Sequence, residues 1–164
     1  MRKALVLMMV MVAVLFGACA TGDTPNPEDM RVERILTFED MEQDDLFDLA
    51  NRWFVHSFGS AQAVIDYQDK ERGIVMGKYT YRTSVMGPLA MSTIDRVQCT
   101  IQVEVRDGRA RIQIMDPSIH LSSGSATNLW RTPSKGELER VEFHRNSNET
   151  IESLIAFIKD HTDW

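Results

Sequence analysis

Apolar and polar positions alternate most regularly in the middle of the chain. Val97, Cys99, Ile101, Val103 and Val105 alternate with Gln98, Thr100, Gln102, Glu104 and Arg106; after Asp107-Gly108, Ala110, Ile112 and Ile114 alternate with Arg109, Arg111 and Gln113. A period of two marks a strand with one buried face, and Asp-Gly is a preferred pair for a two-residue type I′ turn. Such a turn sets Val105 opposite Ala110, Val103 opposite Ile112 and Ile101 opposite Ile114 on one face. On the other face Glu104 meets Arg111 and Gln102 meets Gln113. Every apolar residue then has an apolar partner and a charge pair lands on the wet face.

Elsewhere the period changes. Arg34–Phe38 reads as a short strand. Leu46, Leu49, Ala50, Trp53, Phe54 and Phe58 follow the stripe of a helix with one buried face, capped at Asp44 or Asp45 and stopped at Gly59. Ala63–Gln68 and Gly73–Arg82 form a second hairpin around Asp69-Lys70-Glu71-Arg72. Residues 117–146 show no sustained period: 122–128 is expected to be a loop, and Gly136–Phe143 a short helix or a strand. From Ser147 or Asn148, as a cap, Ile151, Leu154, Ile155 and Ile158 form a helical stripe. The order β-α-β-β-β-β-α predicts an α+β domain with helices on one face of an antiparallel sheet and the other face open.

The N-terminus is of another kind. Met1-Arg2-Lys3 is basic, Ala4–Phe16 is an unbroken apolar run, and Leu15-Phe16-Gly17-Ala18-Cys19 follows. A basic start and an apolar run of this length are features of a secretory signal peptide. Small residues directly before a cysteine resemble the lipobox of bacterial lipoproteins, with Phe16 where Leu is usual. That resemblance implies cleavage before Cys19, which becomes an acylated, palmitate-bearing N-terminus. It places the protein at the cell envelope, and Ala20, in place of Asp, favours the outer membrane over the inner. Thr21 to about Arg31, with Pro25 and Pro27, reads as a tether. The expected division is 1–18 signal peptide, 19–31 lipidated N-terminus and tether, and 32–164 one α+β domain.

Charge narrows the partners. The whole chain carries 18 Lys+Arg against 24 Asp+Glu, a net of −6; without Arg2 and Lys3 the net is −8. An acidic domain is poorly suited to sequence-independent binding of nucleic acid. With Cys19 acylated, Cys99 is left without a partner for an intramolecular disulfide.

Three stretches resemble the domain of unknown function 4468 family of bacterial lipoproteins. They are Leu46-x-x-Leu49-Ala50-x-x-Trp53-Phe54, Asp69-Lys70-Glu71-Arg72-Gly73-Ile74-Val75-Met76-Gly77-Lys78-Tyr79, and Ile101-x-Val103-x-Val105-x-Asp107-Gly108-x-Ala110-Arg111-Ile112. The resemblance covers about 31–116. It implies a fold like the TATA-box-binding protein, a curved antiparallel sheet with helices on its convex side. It implies no activity, cofactor or catalytic residue.

The chemistry-bearing residues fit that picture. Gly73–Lys78 has only three residues between its glycines and Tyr79 where a phosphate loop needs Ser or Thr, so Gly77 is expected to mark a kink or bulge and Lys78 to be solvated. His56, His120, His144 and His161 lack metal-ligand spacing. Cys99 falls on the apolar side of its strand, an inert thiol. Ser123 and Ser125 lack a nucleophile elbow. Asp44, Asp45 and Asp48 suit a helix start, and Asn148-Glu149-Thr150 a helix cap. Trp130 either pins the loop or meets a ligand. No metal, cofactor or nucleic-acid partner is expected. The polar face of the hairpin carries Arg96, Arg106, Arg109 and Arg111 against the single acid Glu104, a local net of +3 and a basic surface on an acidic protein. The function expected is that of a lipid-anchored, non-enzymatic binding or interaction module meeting an envelope protein or glycan. The alternative is an enzyme, or enzyme subunit, acting on envelope material with a site in 117–146.

Overall fold

The computed structural model of the chain describes residues 25–58, 63–87, 92–123 and 129–162. The signal-like leader, Cys19, Gly59 and the 124–128 part of the serine-rich stretch lie outside them. A 3-10 turn at Pro27–Met30 leads into β1 (Arg31–Thr37), followed by α1 (Gln43–Ser57), β2 (Ala63–Asp69), β3 (Ile74–Met86), β4 (Ser92–Arg106), β5 (Arg109–Ser123), β6 (Leu129–Arg131), α2 (Lys135–Arg140) and α3 (Phe143–Asp160). The strands form one antiparallel sheet in the order β1-β5-β4-β3-β2. β1 runs beside Arg109–Met115 of β5, and β6 beside Ile119–Leu121 further along the same strand.

The apolar alternation drives the packing. Val97, Cys99, Ile101, Val103 and Val105 of β4, with Ala110, Ile112 and Ile114 of β5, are buried against one stripe of each long helix: Leu46, Leu49, Ala50, Trp53 and Phe54 from α1, and Ile151, Leu154 and Ile158 from α3. The Trp53 indole N–H donates to Ser153 Oγ at 3.1 Å and ties the helices together. Phe47 is buried as well. α1 starts one residue before the expected acids, at Gln43, whose N–H donates to the Asp107 carboxylate at 2.9 Å. Asp44 and Asp48 instead face Lys70 at 3.3 and 3.6 Å.

The β4–β5 turn holds the expected register, from Arg106 opposite Arg109 to Ile101 opposite Ile114. It differs in conformation. Gly108 alone is left-handed (φ 70°), where a type I′ turn needs two positive φ angles. The Asp107 carboxylate is drawn to α1, and Gly108 is clamped by Phe38 N–H on its carbonyl and by its own N–H to Met41 O, both at 2.8 Å. Gly73 (φ 67°) has no room for a side chain, since a Cβ there would lie 2.3 Å from Val105 O. Gly77 pairs in regular register with Ile101 on β4 and borders a bulge on its other side, where Asp66 of β2 is extra between the Ile65–Gly77 and Tyr67–Met76 pairs.

The largest departure from expectation is in 117–146. β5 does not end near Ile114 but runs on to Ser123, and the polar run that reads as a loop begins inside the sheet. Asp116 (φ 53°) and Pro117 stand together opposite Cys99 in a bulge between the Thr100–Met115 and Gln98–Ser118 pairs. A bulge absorbs a proline, which has no N–H to give the ladder. One residue is returned on the other strand, where Asp95 is extra between Ile94–Leu121 and Arg96–His120. The 136–143 stretch resolves into α2 and the start of α3, which begins at Phe143 rather than at Ser147 or Asn148. Ser147 is buried inside α3, and the Asn148 side chain accepts from Arg34 of β1 at 2.8 Å.

Candidate functional site

With both long helices on one face, the opposite face of the sheet carries no long helix among the described residues. Residues paired across the strands share a face, so this surface carries Glu33 and Ile35 of β1, Arg111 and Gln113 of β5, Gln98, Thr100, Gln102 and Glu104 of β4, and Met76 and Lys78 of β3. Its two ends differ.

At the turn end, Arg106, Arg109 and Arg111 rim a shallow depression of about 220 Å³ with Glu104, Ile35 and Ala110. Glu104 accepts from Arg111, and from Arg106 at 3.2 Å. The hydrogen bond from Arg111 holds its carboxyl below the usual range against the opposing effect of burial, with the charges of Arg111 and Arg106 adding to it. Among the described residues Arg109 forms no ion pair, and Arg106 is 76% exposed. Ile35, 62% exposed, supplies an apolar spot beside the guanidinium groups.

Arg96 is not part of this cluster. It lies ten residues up β4 from Arg106, roughly 33 Å away for an extended strand, opposite His120. His120 is 2% exposed although it sits on the open face. Its Nδ1 lies 2.6 Å from Asp95 Oδ1, so the geometry is that of a ring N–H donating to the carboxylate. Arg96 Nη2 is nearly equidistant from both ring nitrogens, 3.2 and 3.3 Å, which places the guanidinium over the ring rather than in its plane. The Trp130 ring covers the other approach, 5.0 Å from the imidazole, with the Arg96 guanidinium carbon 5.7 Å from the indole centroid, within cation–π range. Burial raises the pKa of Asp95, but the hydrogen bond from His120 and the charges of His120 and Arg96 outweigh it and leave the carboxyl below its ordinary value. Trp130 thus pins the segment to the sheet and still leaves 40% of its surface exposed.

Behind Trp130 a second buried group fixes the connection. Arg131 of β6 holds Glu137 of α2 with two hydrogen bonds, at 2.5 and 2.8 Å, while Ser134 N–H and Oγ donate to the same carboxylate at 2.8 and 3.0 Å. Burial alone would push the Glu137 carboxyl up; these donors outweigh it and hold it down at about 2. A polar tripeptide spacing, Ser134-x-x-Glu137, is the capping-box signal in sequence. His120 carried a weaker one, the alternation of Ile119 and Leu121 around it, hidden by Pro117.

The remaining candidates scatter. Burial pushes the Cys99 thiol up to about 12, which leaves it unreactive at neutral pH. Lys78 is exposed, 3.9 Å from Asp66. His56 and His161 flank Phe157 at the exposed edges of α1 and α3, and His144 is exposed. Among the described residues no three His, Cys, Asp or Glu side chains come together to hold a metal, and no helix is long and apolar enough to cross a membrane.

An antiparallel sheet with two long helices on one face and, among the described residues, none on the other is the architecture of the TATA-box-binding-protein-like class. The family described as a domain of unknown function (DUF4468) with TBP-like fold matches residues 33–120, and the chain belongs to that family. Two solved structures share the fold. A DUF4468 family protein from Bacteroides ovatus is 15% identical with a TM-score of 0.54, over 84% of this chain and 91% of that one. A TBP-like protein from Parabacteroides distasonis is 10% identical with a TM-score of 0.56, over 80% and 96%. At these identities the likeness concerns the fold alone. No curated protein matches the sequence.

Proposed function

We propose that this protein is a lipid-anchored, non-enzymatic module of the bacterial cell envelope that captures an acidic protein partner on the turn end of its open sheet face. The observation that carries the capture is the depression rimmed by Arg106, Arg109 and Arg111, in which Arg106 and Arg111 share the one carboxylate of Glu104, Arg109 forms no ion pair among the described residues, and an exposed Ile35 lies beside them. Two positive charges remain unmatched there, and a partner offering carboxylates around an apolar side chain would satisfy both kinds of surface. The anchor rests on the leader and on Cys19, whose acylation would hold the domain at the membrane on a tether ending near Arg31.

The enzyme reading has one observation in its favour, the short His120–Asp95 contact. It is opposed by the same geometry, since the imidazole is buried beneath Arg96 and the tilted Trp130 ring and is not presented to a cleft.

The test has two arms. Arg106→Gln with Arg109→Gln should lower recovery of the partner in envelope crosslinking without changing the melting temperature, and raised salt should do the same to the unmodified protein. Cys19→Ser should leave a folded chain that takes up no labelled palmitate. Unchanged recovery at every salt concentration rejects the binding face; acylation of the Cys19→Ser chain rejects the anchor.

A further inference from the structure

A separate site lies on the helical side of the sheet, between the last turn of α1, the first half of α3 and the middle of β3. There the surface opens into a cavity of about 570 Å³, within the roughly 300–1,000 Å³ of small-molecule sites. Its sheet side is aromatic. Phe58 and Tyr79 stand with ring centroids 5.6 Å apart, and Tyr79 and Tyr81 are stacked at 6.1 Å. The Tyr79 hydroxyl and the nearby Ser147 Oγ are buried and neither makes a well-formed hydrogen bond; the Tyr79 hydroxyl has only loose contacts, with the side chains of Ser147, Thr150 and Cys99. Buried hydroxyls are almost always well paired, and these two, side by side near the cavity, leave hydrogen-bonding capacity that a ligand could take up.

The helix side offers mainly acceptors. Thr150 Oγ1 spends its proton on Asn146 O at 2.9 Å and keeps its lone pairs, while Ser153 Oγ spends its own on Thr150 O at 2.8 Å and accepts from Trp53, which leaves it one lone pair. Glu149 stands at the rim with an exposed carboxylate. No lysine or arginine is among the described lining residues, which disfavours a phosphate or carboxylate ligand. Burial pushes the Tyr79 hydroxyl pKa upward, so it stays a neutral O–H able both to donate and to accept.

We infer that this cavity binds a neutral saccharide, its ring C–H face against Phe58 and Tyr81 and its hydroxyls on Tyr79, Thr150, Ser153 and Glu149. A pyranose combines an apolar face with several O–H donors, which is what aromatic rings beside unused acceptors require. A cationic amine would also find rings and a carboxylate, but it would leave the hydroxyl acceptors and the Tyr79 O–H largely unused. The inference is independent of the basic sheet face, which lies on the other side of the sheet.

The experiment is saturation-transfer NMR on the folded domain with methyl glycosides of glucose, galactose, mannose and N-acetylglucosamine, and with choline as the control. Transfer from protein aromatic protons to the ring C–H groups of at least one glycoside is expected. Tyr79→Phe should weaken that binding about tenfold, the worth of one well-made hydrogen bond. It should melt at about the temperature of the parent, because the hydroxyl it removes makes no well-formed hydrogen bond in the free protein. Glu149→Gln, at an exposed position, should weaken binding too and guards against a folding defect in the first variant. Transfer to none of the four glycosides, transfer to choline alone, or sugar binding unaltered in both variants would overturn the assignment.

Discussion

The two ends of the β4–β5 ribbon use the same residue types to opposite effect. At the turn, the exposed Arg106 and Arg111 share the largely buried Glu104, and Arg109 stands beside them without an ion pair among the described residues. At the bulged end, Arg96 lies over His120, under the reach of Trp130, with Asp95 closing the other side. The first group keeps its hydration and stays available to a partner. In the second, His120 has exchanged water for a charge-assisted hydrogen bond and the cover of Arg96 and Trp130, which keep their outer surfaces exposed, and the group holds β6 and the start of α2 onto the sheet. What separates them is the register. From Arg106 to Thr100 the strands pair as the turn dictates, and beyond it two bulges of opposite sense, at Asp116-Pro117 and at Asp95, re-aim the side chains. An arginine is a surface charge or a structural plug according to what stands across the strand and above it.

The contrast is open to measurement, and the largest effects belong to the bulged end. Glu137→Gln should cost about 3 kcal/mol, because it leaves Arg131 and the donors of Ser134 without their carboxylate. Its pH signature follows from a folded pKa of about 2 against an ordinary 4.5. A depressed carboxyl stabilises the fold fully above about 4.5, and this contribution drains away as the pH falls toward about 2. Thermal melts of the parent should decline across that window, and those of the variant should decline less. Equal slopes would mean that the Arg131–Glu137 pair is not formed in solution.

His120→Ala should cost about 2–3 kcal/mol in urea unfolding, from a cavity under Trp130 and an Asp95 stripped of its donor. Arg111→Ala at the other end, an exposed ion-pair partner, should cost no more than about 1 kcal/mol. If the two substitutions cost the same, the distinction between a sealed and a solvated end fails.

The bulge itself is tested next. Asp116 holds a left-handed φ of 53°, which a β-branched residue resists by roughly 1–2 kcal/mol. Asp116→Val should therefore destabilise by about that amount, while Asp116→Gly should be neutral or slightly stabilising. Equal stability of the two variants, read from chemical denaturation midpoints, would show that the strand reaches His120 by another path.

The smallest effect is at the turn. Arg106 and Arg109 face one another, and like charges opposed across a pair are mildly unfavourable. Arg109→Gln should change stability by no more than about 0.5 kcal/mol, in the stabilising direction. A clear loss would mean that Arg109 supports the fold and is not held in reserve for a partner.

How far each feature was legible in the chain follows from the range of the forces behind it. The Val97–Ile114 alternation and Asp107-Gly108 specify a hairpin because a period of two and a tight turn are local properties. The Leu46–Phe54 and Ile151–Ile158 stripes specify buried helix faces for the same reason. The register placed all four arginines on the open face, Arg96 included; what it could not show is that Arg96 stands apart from the other three, because its neighbours are decided by bulges farther along. Pro117 and the polar residues after it read as the end of order, and β5 runs through them because β4 on one side and β6 on the other supply the pairing.

By itself, then, the sequence determined the α+β class, the hairpin register, the two amphipathic helices and the family, all of which rest on contacts between near neighbours or on motif residues. Tertiary structure alone decided that His120 is buried on an otherwise open face, that Arg96 is a cover and not a member of the basic cluster, and that Phe58, Tyr79 and Tyr81 meet α3 around a cavity. Each of these depends on residues distant in sequence brought together by the sheet. Burial and pairing of a polar side chain belong to the space it finds, and no period along the chain records that space.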